Sequence, residues 1–181
     1  PLLDHLGAQD AVSFTGSADT ALRLRGNANL QRHSVRFAAE QDSLNASVLG
    51  PDVGRDDPEF DLFIKEVATE ITAKAGQKCT AVRRILVSDA MKPAVIDALE
   101  ARLAKITLGD PRREDVRMGA LASAAQKASV LEKCALFATE ARRVIGSDTP
   151  ALTGDGLENG AFVAPMIFDC ADADAATHLH S

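Results

Sequence analysis

The stretch DPEFDLFIKEVATEITAKAGQKCTAVRRILV, residues 57–87, joins a long helical pattern to a strand-like run. Asp57 followed by Pro58 predicts the start of a helix, because Asp is a frequent N-cap and Pro is favoured at the first helical position. Apolar residues recur at helical spacing and predict one buried face: Phe60, Phe63, Ile64, Val67 and Ile71. Gly76 ends the helical pattern and residues 84–87 follow as a strand, so Cys79 falls in the connection between them.

The same alternation of helix and strand continues on both sides of this stretch and predicts an α/β protein. Further strands are expected over residues 11–15, 35–39, 44–49, 143–145 and 162–168, the last one interrupted by Pro165. Further helices are expected over residues 18–25, over residues 89–105 and after a capping box at Ser123-x-x-Gln126. The apolar face predicted for this last helix consists of Val130, Leu131, Cys134, Phe137, Ala138 and Ala141. Polar, turn-rich residues 52–57 indicate a domain boundary near residue 50.

Composition excludes several classes of function. The 181 residues carry a net charge of −6 without a basic stripe, which argues against nucleic-acid binding. No apolar run approaches the roughly 18 residues of a membrane span. Three cysteines without C-x-x-C spacing argue against a disulfide framework and a zinc site, and favour a reducing, cytoplasmic setting. No metal site is predicted, since the histidines form no ligand motif: His5, His33, His178 and His180.

Cys79 is the candidate for chemistry among the cysteines, because it lies in a loop between two regular elements. Lys78 precedes it, and a neighbouring ammonium group favours the thiolate form of a cysteine. Cys134 lies on a predicted apolar helix face and is expected to be a small core residue, and Cys170 is given no role. From the residue pattern alone, a structural role is the commoner outcome for a single loop cysteine.

Four segments, in order along the chain, resemble motifs of the aldehyde dehydrogenase family. Residues 14–17 read F-T-G-S, like the cofactor-binding turn of that family, and residues 76–79 read G-Q-K-C, like its active-site segment. Residues 109–111 read G-D-P and are followed by M-G-A-L at residues 118–121. Residues 160–165 match the later G-x-F-x-x-P segment. The resemblance covers nearly the whole chain.

The resemblance implies a fold and a division into domains. The expected fold is a three-layer aldehyde dehydrogenase catalytic domain, a sheet with flanking helices, together with the tail of a Rossmann-like cofactor domain. Residues 1–48 would end the dinucleotide-binding domain and residues 49–181 would form the cysteine-bearing catalytic domain, cut before the family's E-x-F-G-P motif. We therefore expect a fragment of a longer, homo-oligomeric protein, with little activity by itself.

The resemblance also implies site residues and a cofactor. Cys79 matches the nucleophile, Glu40 the general base, and Gly16 and Ser17 the turn that contacts NAD or NADP. The E-x-D-S-L-N run of residues 40–45 and the segment around Cys79 are most similar to the branch of the family that acts in phenylacetate degradation. That branch implies NADP-dependent oxidation of a CoA-linked semialdehyde, and a hydratase-like domain further along the protein.

Two alternatives stay open. In a CoA-acylating aldehyde dehydrogenase, CoA rather than water would release the product from the cysteine, although a base at Glu40 favours hydrolysis. In the second alternative the chain is a non-catalytic α/β interaction module, and Cys79 is incidental.

Overall fold

The computed structural model describes residues 1–178 and divides into two compact units, Pro1–Leu44 and a second one from Asn45 onward. The division comes four residues before the expected boundary at residues 48 and 49. The reason is that strand β3, Asn45–Val48, pairs in parallel with strand β4, Val82–Leu86, and so belongs to the second unit. The prediction that the two parts are a cofactor domain and a catalytic domain stays a prediction.

The first unit is built on two parallel strands. Strands β1, Ala11–Gly16, and β2, Arg36–Gln41, pair from Ala11 opposite Arg36 to Gly16 opposite Gln41. Helix α1 extends over Ala18–Arg25, as the sequence predicts, and a 3₁₀ turn precedes β1 at Leu2–His5. Helix α2, Ala28–Arg32, was not predicted, since five residues are too few to show a helical period.

The second unit contains the remaining elements. They are α3 (Pro58–Thr72), a 3₁₀ turn (Ala73–Gly76), α4 (Lys92–Leu103), α5 (Ala124–Phe137), β5 (Arg142–Ile145) and β6 (Ile167–Asp169), besides β3 and β4. Strands β5 and β6 are antiparallel. Within residues 1–178 the strands form three two-stranded sheets, and their alternation with helices confirms the α/β class. In the same residues no helix is both long and apolar enough to cross a membrane.

The core of the second unit lies where α3 packs against α4. Phe60, Phe63, Ile64 and Val67 of α3 are buried, as their spacing predicts, and Ile71 is partly buried against them. Helix α4 contributes Val95, Leu99 and Leu103 to the same cluster. This packing fixes α3, and therefore the point at which the chain leaves it toward Cys79.

Asp57 is the N-cap residue of α3 and Pro58 its first residue, which confirms the predicted start of this helix. The Asp57 carboxylate accepts a hydrogen bond from the Gly54 N–H at 2.7 Å and makes no capping bond to the helix. Two local predictions need correction. Ala138, predicted on the apolar face of α5, is exposed because it lies just beyond the last helical residue. The strand predicted over residues 162–168 is confined to Ile167–Asp169, since Pro165 has no N–H for a strand ladder.

Candidate active site

Cys79 lies on a turn between the end of α3 and the start of β4. Three consecutive residues before it, Lys74, Ala75 and Gly76, have φ angles of 51°, 55° and 71°. This left-handed backbone is disfavoured for residues with a Cβ, so such a run needs external contacts to persist. The side chain of Cys79 is exposed, as the prediction of a reactive thiol requires.

Asn45 holds the turn through backbone carbonyl groups. Its Nδ2 donates hydrogen bonds to the carbonyl oxygen of Cys79 at 2.6 Å and to that of Ala81 at 3.3 Å. Asn45 is the first residue of β3, so the strand beside β4 also ties down the turn that leads into β4.

Gln77 and Arg83 hold the segment just before Cys79. Gln77 donates from Nε2 to the Lys74 carbonyl at 2.8 Å, and its Oε1 accepts from the Ala122 N–H at 2.9 Å. Arg83 donates from Nη2 to the Gly76 carbonyl at 2.8 Å. The amide of Gln77 therefore connects the cysteine turn to the segment just before α5.

Glu70 contacts the residues on both sides of Cys79. Lys78 Nζ lies 2.7 Å from Glu70 Oε1, and Thr80 Oγ1 lies 3.1 Å from Glu70 Oε2. The hydrogen bond from Lys78 is the main reason that the pKa of the Glu70 carboxyl group lies below its usual value. The ammonium group of Lys78, expected from the sequence to favour a thiolate at Cys79, is thus paired with a carboxylate.

The other cysteines have different surroundings. Cys134 is partly buried on α5, and burial raises the pKa of its thiol, with a further contribution from the negative charge of Asp148. Cys170 is also partly buried and follows β6. Of the three cysteines, Cys79 alone is exposed.

Glu40 and the turn at Gly16 and Ser17 lie together in the first unit. Thr15 of β1 pairs with Glu40 of β2, and Gly16 pairs with Gln41, so both groups are at the carboxyl ends of parallel strands. Glu40 is exposed. In α/β proteins, ligands usually bind at this end of a parallel sheet.

Ser17 and Asp42 shape the start of α1. Ser17 is the N-cap, and its Oγ accepts from the Thr20 N–H at 3.3 Å. Both carboxylate oxygens of Asp42 accept from the Ala18 N–H at 3.1 Å, which places an anion of the chain at the positive end of the helix. Asp42 has a φ of 49°.

The later motif segments meet in a second hydrophobic cluster. Leu108, before G-D-P, packs with Met118 of the M-G-A-L stretch and with Phe162 of the G-x-F-x-x-P segment. Gly109 lies against the backbone of Thr153, so close that a Cβ atom would overlap the Thr153 carbonyl oxygen. Motifs that are far apart in sequence therefore support one another in the second unit.

No group of three or more His, Cys, Asp or Glu side chains in residues 1–178 is arranged to hold a metal ion. His178 donates its backbone N–H to Glu140 at 2.8 Å, and His180 lies outside the described residues.

The exposed cysteine on its turn, the α/β fold and the packed motif segments agree with the resemblance to aldehyde dehydrogenases. The model of the aldehyde dehydrogenase family matches residues 2–179, and the chain belongs to that family, which confirms the prediction. It is 46% identical over 180 residues to a 3,4-dehydroadipyl-CoA semialdehyde dehydrogenase from Aromatoleum evansii, covering 99% of this chain and 35% of the relative. This relative is named for a CoA-linked semialdehyde, the substrate class implied by the resemblance to the branch typified by PaaZ.

Two further similarities support the family and the fold. The chain is 31% identical over 173 residues to the α-ketoglutaric semialdehyde dehydrogenase of Bacillus subtilis (strain 168), covering 93% of this chain and 33% of that protein. The betaine aldehyde dehydrogenase of Staphylococcus aureus, solved in complex with NAD⁺, superposes with a TM-score of 0.76 at 28% identity, over 88% of this chain and 30% of that one. The chain thus spans about a third of the length of each of these proteins.

Proposed function

We propose that this chain is the cysteine-bearing part of an NAD(P)-dependent aldehyde dehydrogenase that oxidises an aldehyde to an acid through a thioester on Cys79. The observation that carries the proposal is the exposed position of Cys79 on a turn held by Asn45, Gln77 and Glu70. A turn whose conformation is fixed in this way suits a nucleophile, because the sulfur must approach the substrate from one direction.

The first steps of the reaction take place at Cys79. Its thiolate sulfur attacks the aldehyde carbon, and the new C–S bond leaves the negative charge on the former carbonyl oxygen. That oxygen needs hydrogen-bond donors, and the resemblance to the family assigns one of them to the Cys79 N–H. When the C–O double bond forms again, hydride departs from the carbon and the substrate remains as a thioester of Cys79.

Glu40 is proposed as the base that releases the acid. It takes a proton from water, the resulting hydroxide adds to the thioester carbon, and the C–S bond breaks to return the thiolate. The proposal is supported by the resemblance of the E-x-D-S-L-N run to the general-base segment of the phenylacetate-degradation branch, which differs from the E-L-G-G-K that is usual in the family. The exposed position of Glu40 at a strand end also supports it.

The hydride acceptor is proposed to be NADP or NAD, with NADP favoured by the resemblance. When bound, the nicotinamide supplies the chemistry that accepts the hydride. The exposed turn of Gly16 and Ser17, at the carboxyl ends of β1 and β2, fits the binding of a dinucleotide phosphate. Because the Ala18 N–H is already hydrogen-bonded to Asp42, we propose that Ser17 rather than the Ala18 N–H contacts the phosphate.

The proposed substrate is a small aldehyde, and a CoA-linked semialdehyde is the favoured class. The support is the 46% identity to a 3,4-dehydroadipyl-CoA semialdehyde dehydrogenase. We also propose that the whole protein is a cytoplasmic homo-oligomer. Since the chain spans about a third of its relatives, we expect turnover from the whole protein and little from these 181 residues alone.

The proposal is tested with Cys79→Ser and Glu40→Gln in the natural protein that carries this chain. Cys79→Ser should abolish aldehyde-dependent formation of NADPH or NADH. Glu40→Gln should spare the first, stoichiometric burst of reduced cofactor and slow the steady state by about 10²- to 10⁴-fold, since only hydrolysis needs the base. Full activity of the Cys79→Ser variant would show that the proposal is wrong.

Product analysis separates the remaining alternatives. Free acid as the product supports hydrolysis, whereas acyl-CoA formed only when CoA is added supports the acylating alternative. If Cys79 of the wild-type chain is alkylated no faster than the partly buried Cys134, the chain is better described as a non-catalytic module.

A further inference from the structure

Glu70 lies in the last turn of α3 and uses its two carboxylate oxygens on two different partners. Oε1 binds Lys78 Nζ at 2.7 Å, and Oε2 accepts from Thr80 Oγ1 at 3.1 Å. Cys79 is the residue between these partners. We propose that Glu70 is a positioning residue for Cys79, which holds both of its neighbours to the core helix and so fixes the direction of the thiol. This inference rests on the proposed role of Cys79 as the nucleophile.

The location of Glu70 supports a role beyond that of an ordinary surface ion pair. Its side chain is 24% exposed and that of Lys78 is 31% exposed, so both are partly withdrawn from water. Exposed ion pairs contribute little, but a pair that is partly buried and shares a further hydrogen bond orders its surroundings more strongly. Helix α3 is itself fixed by its buried apolar face, so a contact to Glu70 is a contact to the core.

Glu70 also pairs with the positive charge of Lys78, the residue next to Cys79. Without its partner, the Lys78 ammonium would be an uncompensated cation beside Cys79, and such a cation favours the thiolate. With Glu70 in place, the charge of Lys78 is paired with a carboxylate. Removal of Glu70 should therefore loosen the turn and also make the thiol more reactive toward small reagents.

The inference is tested in the natural protein that carries this chain, with Glu70→Ala, Glu70→Gln and the control Glu66→Ala, which makes the same change at an exposed position one turn earlier on α3. Two quantities are measured for each variant by mass spectrometry. The first is the rate of alkylation of Cys79 by iodoacetamide at neutral pH, with Cys134 and Cys170 as references in the same molecules. The second is amide hydrogen exchange over residues 77–81.

We expect Glu70→Ala to speed alkylation of Cys79 about threefold, the effect of an unpaired neighbouring charge in high dielectric. Amide exchange over residues 77–81 should become at least about fivefold faster, because the charged hydrogen bonds of Glu70 are lost. Glu70→Gln should leave the exchange rate at the wild-type value, because its amide still offers an acceptor to Lys78 and a donor to Thr80. Glu66→Ala should change neither quantity.

Two outcomes would overturn the inference: Glu70→Ala matching Glu66→Ala in both measurements, or Glu70→Gln exchanging as fast as Glu70→Ala. If Glu70→Ala does not fold, Thr80→Val decides instead, since it removes one of the two contacts. It should raise exchange over residues 77–81, and an unchanged rate would count against the inference. Slow alkylation of Cys79 in the wild type would contradict the proposed function. Fast alkylation in the wild type, with Glu70→Ala matching Glu66→Ala in both measurements, would contradict only the role of Glu70.

Discussion

The Nδ2 atom of Asn45 lies 2.6 Å from the carbonyl oxygen of Cys79 and 3.3 Å from that of Ala81. The residue at the start of β3 therefore binds the backbone of the cysteine turn, 34 residues further along the chain. Glu70 holds the side chains next to Cys79, and Asn45 holds its main chain. Together they connect the thiol to both a strand and a helix of the second unit.

Replacing Asn45 by Ala should loosen the cysteine turn, because two carbonyl oxygens lose their donor. We expect a loss of about 1–3 kcal/mol in the unfolding free energy of the second unit, because each of the two hydrogen bonds contributes about 0.5–1.5 kcal/mol. Amide exchange over residues 77–81 should become faster, and the alkylation rate of Cys79 should change. Urea unfolding followed by circular dichroism, together with mass spectrometry, measures these effects.

Asn29→Ala is a matched control for Asn45→Ala. Asn29 also donates from Nδ2 to two carbonyl groups, those of Leu3 at 2.9 Å and Leu6 at 2.7 Å, but within the first unit. It should destabilise that unit by a similar amount and leave the alkylation of Cys79 unchanged. Equal effects of both variants on Cys79 would contradict a specific role for Asn45.

Elements whose signals are local could be predicted from the sequence. The bounds of α1 match the prediction because the capping serine, Ser17, directly precedes the helix, and the buried face of α3 follows from its apolar spacing. The contacts of Asn45 and Glu70 to the cysteine turn could not be predicted, since they depend on how α3 and β3 pack around it. The family motifs located Cys79, but its exposure and its contacts needed the structure.

Position 76 favours glycine over alanine for a reason beyond its backbone angle. Its φ is 71°, and a Cβ atom there would lie 3.1 Å from the Ile71 carbonyl oxygen. Gly156 has a similar φ of 68° but no atom within 4 Å of the Cβ position. Gly156→Ala should therefore cost only the left-handed strain, about 1–2 kcal/mol, whereas Gly76→Ala adds a steric conflict and should cost more.

Urea unfolding of the two glycine variants measures this difference directly. The Cys79 alkylation rate adds a local measurement, because only Gly76 is close to the cysteine in the chain. We expect a change for Gly76→Ala and none for Gly156→Ala. If both variants lose the same stability, the contact with Ile71 is unimportant.

Leu99 is a sensitive position in the core of the second unit. Its side chain is 1% exposed in the cluster between α3 and α4, so Leu99→Ala should leave a cavity and cost about 2–5 kcal/mol. Leu62 on α3 is 55% exposed, and Leu62→Ala should change the unfolding free energy by about 0.5 kcal/mol or less. Thermal or urea unfolding compares the pair, and similar losses in the two variants would contradict the described packing.

Asp110, in the G-D-P segment, should make the unfolding free energy of the second unit depend on pH in the acid range. The side-chain hydrogen bonds from Arg112, at 2.8 to 3.1 Å, are the largest cause that lowers the Asp110 pKa to about 2. A carboxyl group whose pKa is lower in the folded protein than in the unfolded one stabilises the fold above its unfolded pKa. This contribution is fully present above about pH 4 and is lost as the pH falls toward 2.

Asp110→Asn removes the titrating group and should flatten the decline in unfolding free energy between about pH 4 and pH 2. Asp56→Asn makes the same change at an exposed position before α3 and serves as the control. Urea unfolding of the wild type and both variants at several pH values in this window measures the slopes. If the unfolding free energy of Asp110→Asn declines in this window as steeply as that of the wild type, the pair with Arg112 does not stabilise the folded protein. Asp110 would then bind its proton equally well in the folded and unfolded states.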